Sequence, residues 1–521
     1  MQMSKNKILA EKLKDAFIRY KGNDAISMGA SAYTYAALAD RSLAISHCVT
    51  DRSGKTAPVA ILGKKSFFTY AGICGSLFAS RAYMPLNLRF PPARNRKMLE
   101  RSGAEVIVAD KHSLEMLDHL LMDALKALTV ILEEDAPELE ARYSSHKFLC
   151  PGDAGKAAYH EITSAENDIA YLLFTSGSTG TPKGVPVSNL NVCSYLEHVL
   201  KSWDFRESDR FSQTFDLTFD LSVHDMMVCW LSGGCLCIPE DDSALNIAAY
   251  IREQRITAWF SVPSMAIMMN KMRMLKKDAF VKLRSSFFCG EPLPAVICEK
   301  WRLATGDKQL VNLYGPSEAT IAISAYTWDK DNQKSMNGIV SIGKIFAAQQ
   351  HCLIDTETMQ LTERKGELCL EGTQIIQSYL KDPALSKKYF IEIAGHEGKS
   401  WYRTGDLAEI DEEGALFFLG RIDSEVKVSG FRVNLYEIDG LIMKITSAQQ
   451  VATVLDVDGS KLKSFVSHDG QMDEATIIKQ CREELPWYMI PEVIIFVDEM
   501  PLNPNGKVDR KRLIQMLHEQ G

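Results

Sequence analysis

The sequence predicts an α/β fold, with a large N-terminal domain of mixed sheets and helices followed by a small α+β C-terminal domain. Three observations lead there. Short apolar runs such as Val59-Ala60-Ile61-Leu62, Val106-Ile107-Val108-Ala109 and Thr129-Val130-Ile131-Leu132 alternate with helix-like stretches, which is how buried parallel strands joined by crossover helices read. No repeat of fixed period and no low-complexity tract is present, so a layered domain is favoured over a solenoid. The pattern then changes character near Gly420-Arg421-Ile422-Asp423, between a strand-like Ala415-Leu416-Phe417-Phe418-Leu419 and an alternating Glu425-Val426-Lys427-Val428 followed by a helix-like Asn434-Leu435-Tyr436-Glu437-Ile438-Asp439. The expected division is 1–419, a boundary stretch at 420–423, and 424–521, the last being long enough for a small domain of its own.

From the start of the chain, MQMSKNKILAEKLKDAFIRY mixes charges with apolar residues at helical spacing; it predicts a helix and lacks the unbroken apolar stretch of an export signal. No run of about 18 uncharged apolar residues follows, so no membrane span is expected and the protein reads as cytoplasmic. The chain is 46% hydrophobic and 24% charged, ordinary for a globular protein. A formal charge of −8 without any basic concentration argues against nucleic acid as a partner. The 12 cysteines form no C-x-x-C pair, and buried reduced thiols are expected rather than a metal site; Cys235 and Cys237 would share one face of a strand.

The segment richest in chemistry is Tyr171-Leu172-Leu173-Phe174-Thr175-Ser176-Gly177-Ser178-Thr179-Gly180-Thr181-Pro182-Lys183-Gly184. A strand runs into small and hydroxylated residues and then a lysine, the composition with which a loop wraps phosphate oxygens in N–H and O–H donors. It is not a Walker A loop, because Lys183 is flanked by Pro182 and Gly184. Composition alone leaves a plain Gly/Ser turn equally open.

Further segments follow in order: Tyr314-Gly315-Pro316-Ser317-Glu318, Gly366-Glu367-Leu368-Cys369-Leu370-Glu371-Gly372, Tyr402-Arg403-Thr404-Gly405-Asp406-Leu407, the Gly420 to Asp423 stretch, and Asn503-Pro504-Asn505-Gly506-Lys507. With Arg81-Ala82-Tyr83-Met84-Pro85-Leu86-Asn87 near the N-terminus, this series resembles the adenylate-forming superfamily of acyl-CoA synthetases, luciferases and amino-acid adenylation domains, over nearly the whole chain. The resemblance implies that a carboxylate attacks the α-phosphorus of ATP to give an acyl-adenylate and pyrophosphate, and that the acyl group then passes to a thiol. Positioning and charge neutralisation dominate such chemistry.

By the same resemblance, Lys507 would bridge the substrate carboxylate and ATP, stabilising charge in the transition state. Thr175, Ser176, Gly177, Ser178, Thr179, Gly180 and Lys183 would form the phosphate loop, with Ser317 close by. Tyr314 would stack on adenine, Asn312 would meet its amino edge, and Gly290, Glu291, Pro292 and Gly315 would line the base. Asp406 and Arg421 would hold the ribose. Glu318 would hold Mg²⁺ near the phosphates. The resemblance also implies a mobile small domain, rotating about Asp423 to withdraw Lys507 and bring Lys427 to the site, because pyrophosphate release and thiol entry need different geometries.

Phe219-Asp220-Leu221-Ser222-Val223-His224-Asp225 resembles the segment of amino-acid adenylation domains in which an aspartate receives the substrate ammonium. Asp220 occupies that position. An enzyme for plain carboxylic acids has no use for a buried anion there, although Asp220 could instead be a helix N-cap. The implied side-chain pocket is Phe219, Leu221, His224, Ser261, Phe287, Cys289, Leu313, Ile321 and Ala322, with nothing to pair a charged substrate side chain. His224 is open between a pocket role and a packed core. The expectation is activation of a small neutral amino acid, such as alanine, serine or proline, and transfer to the phosphopantetheine thiol of a discrete acyl or peptidyl carrier protein. A segment for a carrier module is not seen after Lys507. The alternative is an acyl-CoA synthetase for a small non-amino acid. Ser317, Asn434 and Tyr436 depart from the commonest family residues, the last two on the surface expected to serve the second half-reaction.

Overall fold

A computed structural model describes all residues except 1–6, 51–56, 125, 153–157, 160, 176–181, 241–245, 332, 337, 423–424, 447, 449, 457, 460, 468–471, 502–507 and 521. The runs Val59–Leu62, Val106–Ala109 and Thr129–Leu132 are neighbouring parallel strands, almost wholly buried, as β-branched runs without alternation should be. They belong to a seven-stranded sheet that ends in the strands Ile169–Thr175 and Lys183–Ser188. These last two pair antiparallel, with Thr175 opposite Lys183, so both flanks of the hydroxyl-rich segment are anchored in the sheet.

A second, nine-stranded sheet places Ala258–Ser261, Ser285–Phe288 and Gln309–Tyr314 side by side and parallel. The main core lies between these sheets, where Tyr83, Tyr171 and Val185 of one share a cluster with Phe260, Phe287 and Val311 of the other. Helices Leu9–Arg19 and Leu221–Ser232 fill that layer; Leu9, Leu13 and Phe17 of the first are buried along one stripe. Cys235 and Cys237 are buried together on one face of strand Cys235–Ile238, while Leu236 packs in the core on the other side. All twelve cysteines are free. A third, antiparallel sheet carries the long strand Trp401–Ile410, paired with Leu416–Arg421 so that Asp406 faces Arg421.

Beyond it, Glu425–Val428 and Phe431–Asn434 form a hairpin turning through Ser429 and Gly430, both at positive φ (49° and 83°), the backbone that a two-residue turn between twisted strands requires. Helix Leu435–Thr446 and a sheet of Val451–Leu455, Leu462–Ser467 and Val493–Val497 complete this small α+β unit with helices Glu474–Glu484 and Arg510–Gln520. The unit is docked on the large one: Val428, Val433 and Ile438 share a cluster with Met84, Leu86, Phe90 and Phe174, and a buried Arg94–Glu437 ion pair spans the junction at 3.0 Å. Among the described residues, no helix is long and apolar enough to cross a membrane.

Candidate active site

The adjacent parallel strands end together at Ser261, Phe288 and Tyr314, and the loops that leave them carry Gly290 and Gly315. A crevice outside the carboxyl ends of parallel strands is where α/β sheets bind ligands. Here it is two connected cavities, which share Gly290, Gly315, Lys427 and Arg432 as walls. A Cβ on Gly315 would lie 2.6 Å from the Ala322 backbone, so only glycine fits at the junction between them.

The first cavity, about 60 Å³, lies between Pro292, Asn312, Tyr314, Asp406 and Arg421. Tyr314 donates its hydroxyl to Asp406 at 2.6 Å, and Arg421 donates to the other carboxylate oxygen at 2.5 Å. Asn312 gives its amide N–H to the Ser341 carbonyl at 2.9 Å, while its buried side-chain oxygen meets no hydrogen-bond partner among the described residues. An acceptor left so at the end of an aromatic-walled slot fits the amino edge of a purine, because leaving it unmet costs roughly 1–3 kcal/mol. Thr175 likewise holds a buried hydroxyl without such a partner, at the edge of the other cavity, which suits a phosphate oxygen.

That other cavity, about 30 Å³, is lined by Phe219, Asp220, Leu221, Cys289 and Ser317 of the large unit and by Lys427 and Phe431 of the hairpin. Asp220 stands at the N-cap position of helix Leu221–Ser232, yet its side chain makes no capping bond. It is turned to the cavity instead. Burial raises its pKa to about 6, against the pull of Ser317 and Lys427. Lys427 is lowered by desolvation and by neighbouring Arg432, with Asp220 acting the other way.

The implied pocket residues do not all reach this cavity. Phe219, Asp220, Leu221 and Cys289 line it, Leu313 lines the neighbouring slot, and Ser261 opens on a third cavity. His224, Phe287, Ile321 and Ala322 are core residues. His224 bonds through Nδ1 to the Tyr195 hydroxyl at 2.6 Å, packs against Phe260 and Phe287, and is kept neutral by burial, its pKa lowered to about 3.

Glu318 is fully buried and encircled. Lys183 approaches one carboxylate oxygen at 3.0 Å and Tyr379 donates to the same oxygen at 2.7 Å, while Arg432 reaches the other at 3.1 Å. Burial opposes its charge, but the two cations prevail and hold its pKa well below the usual carboxylate range. Lys183 also stands over the rings of Tyr379 and Tyr389. As arranged, both oxygens are engaged by cations, which does not fit a magnesium ion demanding oxygen ligands in an octahedron. Among the described residues no group of three or more metal-binding side chains occurs elsewhere.

Glu291 acts as a clamp. One oxygen accepts from Ser264 N at 2.8 Å and the other from Gly430 N at 2.7 Å, tying the hairpin turn to the large unit. Phe431 continues the contact, stacked between Phe219 at 5.3 Å and Tyr488 at 4.0 Å. Sequence reasoning did not single out Arg432, Phe431, Tyr379 or Tyr195. The first two sit in the segment whose lysine it did choose, and the tyrosines carry no motif at all. Ser176 to Gly180, Asp423 and Lys507 lie outside the described residues.

Comparison with known proteins agrees with this geometry. The AMP-binding enzyme family matches residues 13–380, and the AMP-binding enzyme C-terminal domain matches residues 437–507. The chain is 30% identical over 94% of its length to tyrocidine synthase 3 of Brevibacillus parabrevis, of which it spans 7%. It is 29% identical to the D-alanine--D-alanyl carrier protein ligase of Listeria monocytogenes, over 91% of each chain. The crystal structure of the Vibrio cholerae adenylation domain AlmE in complex with glycyl-adenosine-5'-phosphate matches it with a TM-score of 0.89 and 30% identity, covering 100% of this chain and 99% of that one. From the strand-end crevice to the docked C-terminal unit, the chain belongs to the adenylate-forming superfamily of AMP-binding enzymes.

Proposed function

We propose that this enzyme activates a small neutral amino acid, glycine before any other, as its adenylate and passes it to the phosphopantetheine thiol of a separate carrier protein. The observation that carries this reading is Asp220, a buried carboxylate facing a cavity of about 30 Å³, room for about two water-sized groups. A buried anion asks for a cation, and an α-ammonium group supplies it beside the carboxylate to be activated. Beyond the ammonium, Leu221 and Cys289 wall the cavity, whereas His224, Phe287, Ile321 and Ala322 are buried and do not line it. Alanine is the next candidate, with serine and proline after it in order of size. The relatives named above, one solved with a glycyl adenylate and one named for D-alanine, support the same size class.

In this reading ATP places adenine by Asn312 and Tyr314, and its ribose on Asp406 and Arg421. The magnesium that accompanies ATP would screen its phosphates, and Lys507 would serve the activation step. Lys427, brought beside Asp220, would serve the transfer step. A third cavity of about 370 Å³ shares Phe219 and Phe431 with the substrate cavity and has Val262, Met268, Lys65 and Arg89 among its walls. It supports entry of a thiol on a long arm whose phosphate would meet these basic groups. The test is pyrophosphate exchange over glycine, L- and D-alanine, serine, proline, valine, arginine and glutamate. Glycine should give the largest kcat/KM. A maximum with arginine or glutamate would overturn the pocket assignment, and exchange with acetate or propionate alone would favour the acyl-CoA synthetase alternative.

A further inference from the structure

Strands Gln349–Ile354 and Lys365–Gly372 of the third sheet pair antiparallel, and their register sets Cys352 directly opposite Cys369. Opposed side chains of an antiparallel pair leave the same face of the sheet, with Cα atoms about 4.5 or 5.5 Å apart according to the hydrogen-bonding pattern. Both values fall inside the span of about 4.4–6.8 Å that a disulfide bridges. The two cysteines pack in one small apolar cluster with Ile354, Ile391, Ile393 and Trp401, as side chains on a shared face must. Cys369 is buried and Cys352 is partly exposed, so one of the two sulfurs is within reach of a small solute. Each thiol acts on the other. A hydrogen bond with Cys369 lowers the pKa of Cys352 against the effect of burial, and the same bond, with burial, raises that of Cys369. The thiolate character thus gathers on the more accessible partner, where reactivity toward oxidants follows it. Cys235 and Cys237 offer no such arrangement: they follow one another on the same face of one strand, with Cα atoms about 6.6 Å apart by strand rise, and both are buried.

We propose that Cys352 and Cys369 are a site of reversible oxidation, closed by hydrogen peroxide into a cross-strand disulfide. The Cys352 sulfur attacks one peroxide oxygen and the O–O bond breaks. Cys352 becomes a sulfenic acid, and its thiol proton leaves with the other oxygen as water. The Cys369 sulfur then attacks the Cys352 sulfur, the S–O bond breaks, and the hydroxyl departs as a second water with the Cys369 proton. Two thiols give up two electrons, and one peroxide takes them. Neither residue lines the cavities described above, so the site stands whichever acid the enzyme activates. Two positions before Cys369, Glu367 accepts from Gly405 N at 3.1 Å and from Arg403. The new bond would therefore tie strand Gln349–Ile354 to the strand that supports the Asp406 segment.

The test is made on the full chain, reduced and then freed of reductant. It is exposed to a small molar excess of hydrogen peroxide, remaining thiols are blocked with N-ethylmaleimide, and the digest is mapped by mass spectrometry. In wild type the peptides holding Cys352 and Cys369 should appear joined, two hydrogens lighter than their sum, and dithiothreitol should separate them again. In Cys369→Ser the sulfenic acid has no thiol to meet, so dimedone should label Cys352 at least about fivefold more than in wild type. Cys352→Ser should abolish the cross-link and leave the buried Cys369 as a free thiol. A wild-type map in which Cys352 stays reduced, runs on to sulfinic acid, or joins a cysteine other than Cys369 would overturn the proposal without any variant having to fold. Equal dimedone labelling of Cys352 in wild type and Cys369→Ser would overturn it as well.

Discussion

Asp220 makes the pH dependence of substrate capture a direct test. Its carboxyl is 4% exposed, and burial lifts its pKa from 3.8 to about 6, a shift worth about 3 kcal/mol against the charged form. An incoming ammonium group gives that anion a partner, so the free enzyme must be deprotonated at Asp220 before it binds. The sign follows. Above pH 6 the anion is present and kcat/KM for the amino acid is on its plateau; as the pH falls through 6 the neutral acid accumulates, and kcat/KM should drop about tenfold per unit. An ordinary aspartate would leave the plateau intact to about pH 4. Measured by pyrophosphate exchange at saturating ATP, wild-type enzyme at pH 5 should stand about tenfold below its value at pH 7. Asp220→Asn keeps the shape but removes the charge; losing one partner of a buried pair costs roughly 2–5 kcal/mol, so the plateau should fall at least about 30-fold and the acid limb should vanish. A wild-type profile flat to pH 4.5, or an Asn variant with wild-type kcat/KM, would refute the assignment of the ammonium to this group.

Other outcomes follow from neighbouring residues. Asn312→Leu removes the buried acceptor of the purine slot and should weaken binding of a non-hydrolysable ATP analogue by about 1–3 kcal/mol in calorimetry, with little change for the amino acid. Leu221→Ala should enlarge the substrate cavity and raise the alanine-to-glycine ratio of kcat/KM about tenfold in exchange assays, with some loss of thermal stability. Gly430→Ala would set a Cβ 2.4 Å from Val262 at φ +83°. Thiol transfer should therefore fall at least tenfold while exchange falls much less, and equal losses in both steps would deny the turn its special role.

How much of this was legible depends on which force fixes each feature. The three apolar runs of the first sheet were readable because continuous burial leaves a continuous apolar signature, and the ends of strands 59–62, 106–109 and 129–132 agree with them. The separate character of the C-terminal unit showed in the switch from Leu416–Arg421 to the alternating hairpin that begins at Glu425. Motif residues such as Asp406 and Arg421 were legible as types, and the structure pairs them across adjacent strands. Pocket depth was not legible. Whether His224 faces a ligand or the core depends on Tyr195, 29 positions away in sequence, and no spacing rule encodes that. The Glu318–Arg432 pair, 114 positions apart, is likewise a product of docking between units, where local pattern carries no signal.

The aromatic stack at the junction has a practical corollary. Trp487 meets the edge of Phe431 at 5.7 Å and is 47% exposed, whereas Trp203, Trp230, Trp259, Trp301, Trp328 and Trp401 are all buried. The protein thus carries its own optical probe where its two parts meet. Six indoles supply a steady background emission, and the seventh lines the same cavity as Phe219, so the rotation expected of the small unit would change its surroundings and stopped-flow fluorescence tests for that motion without any attached dye.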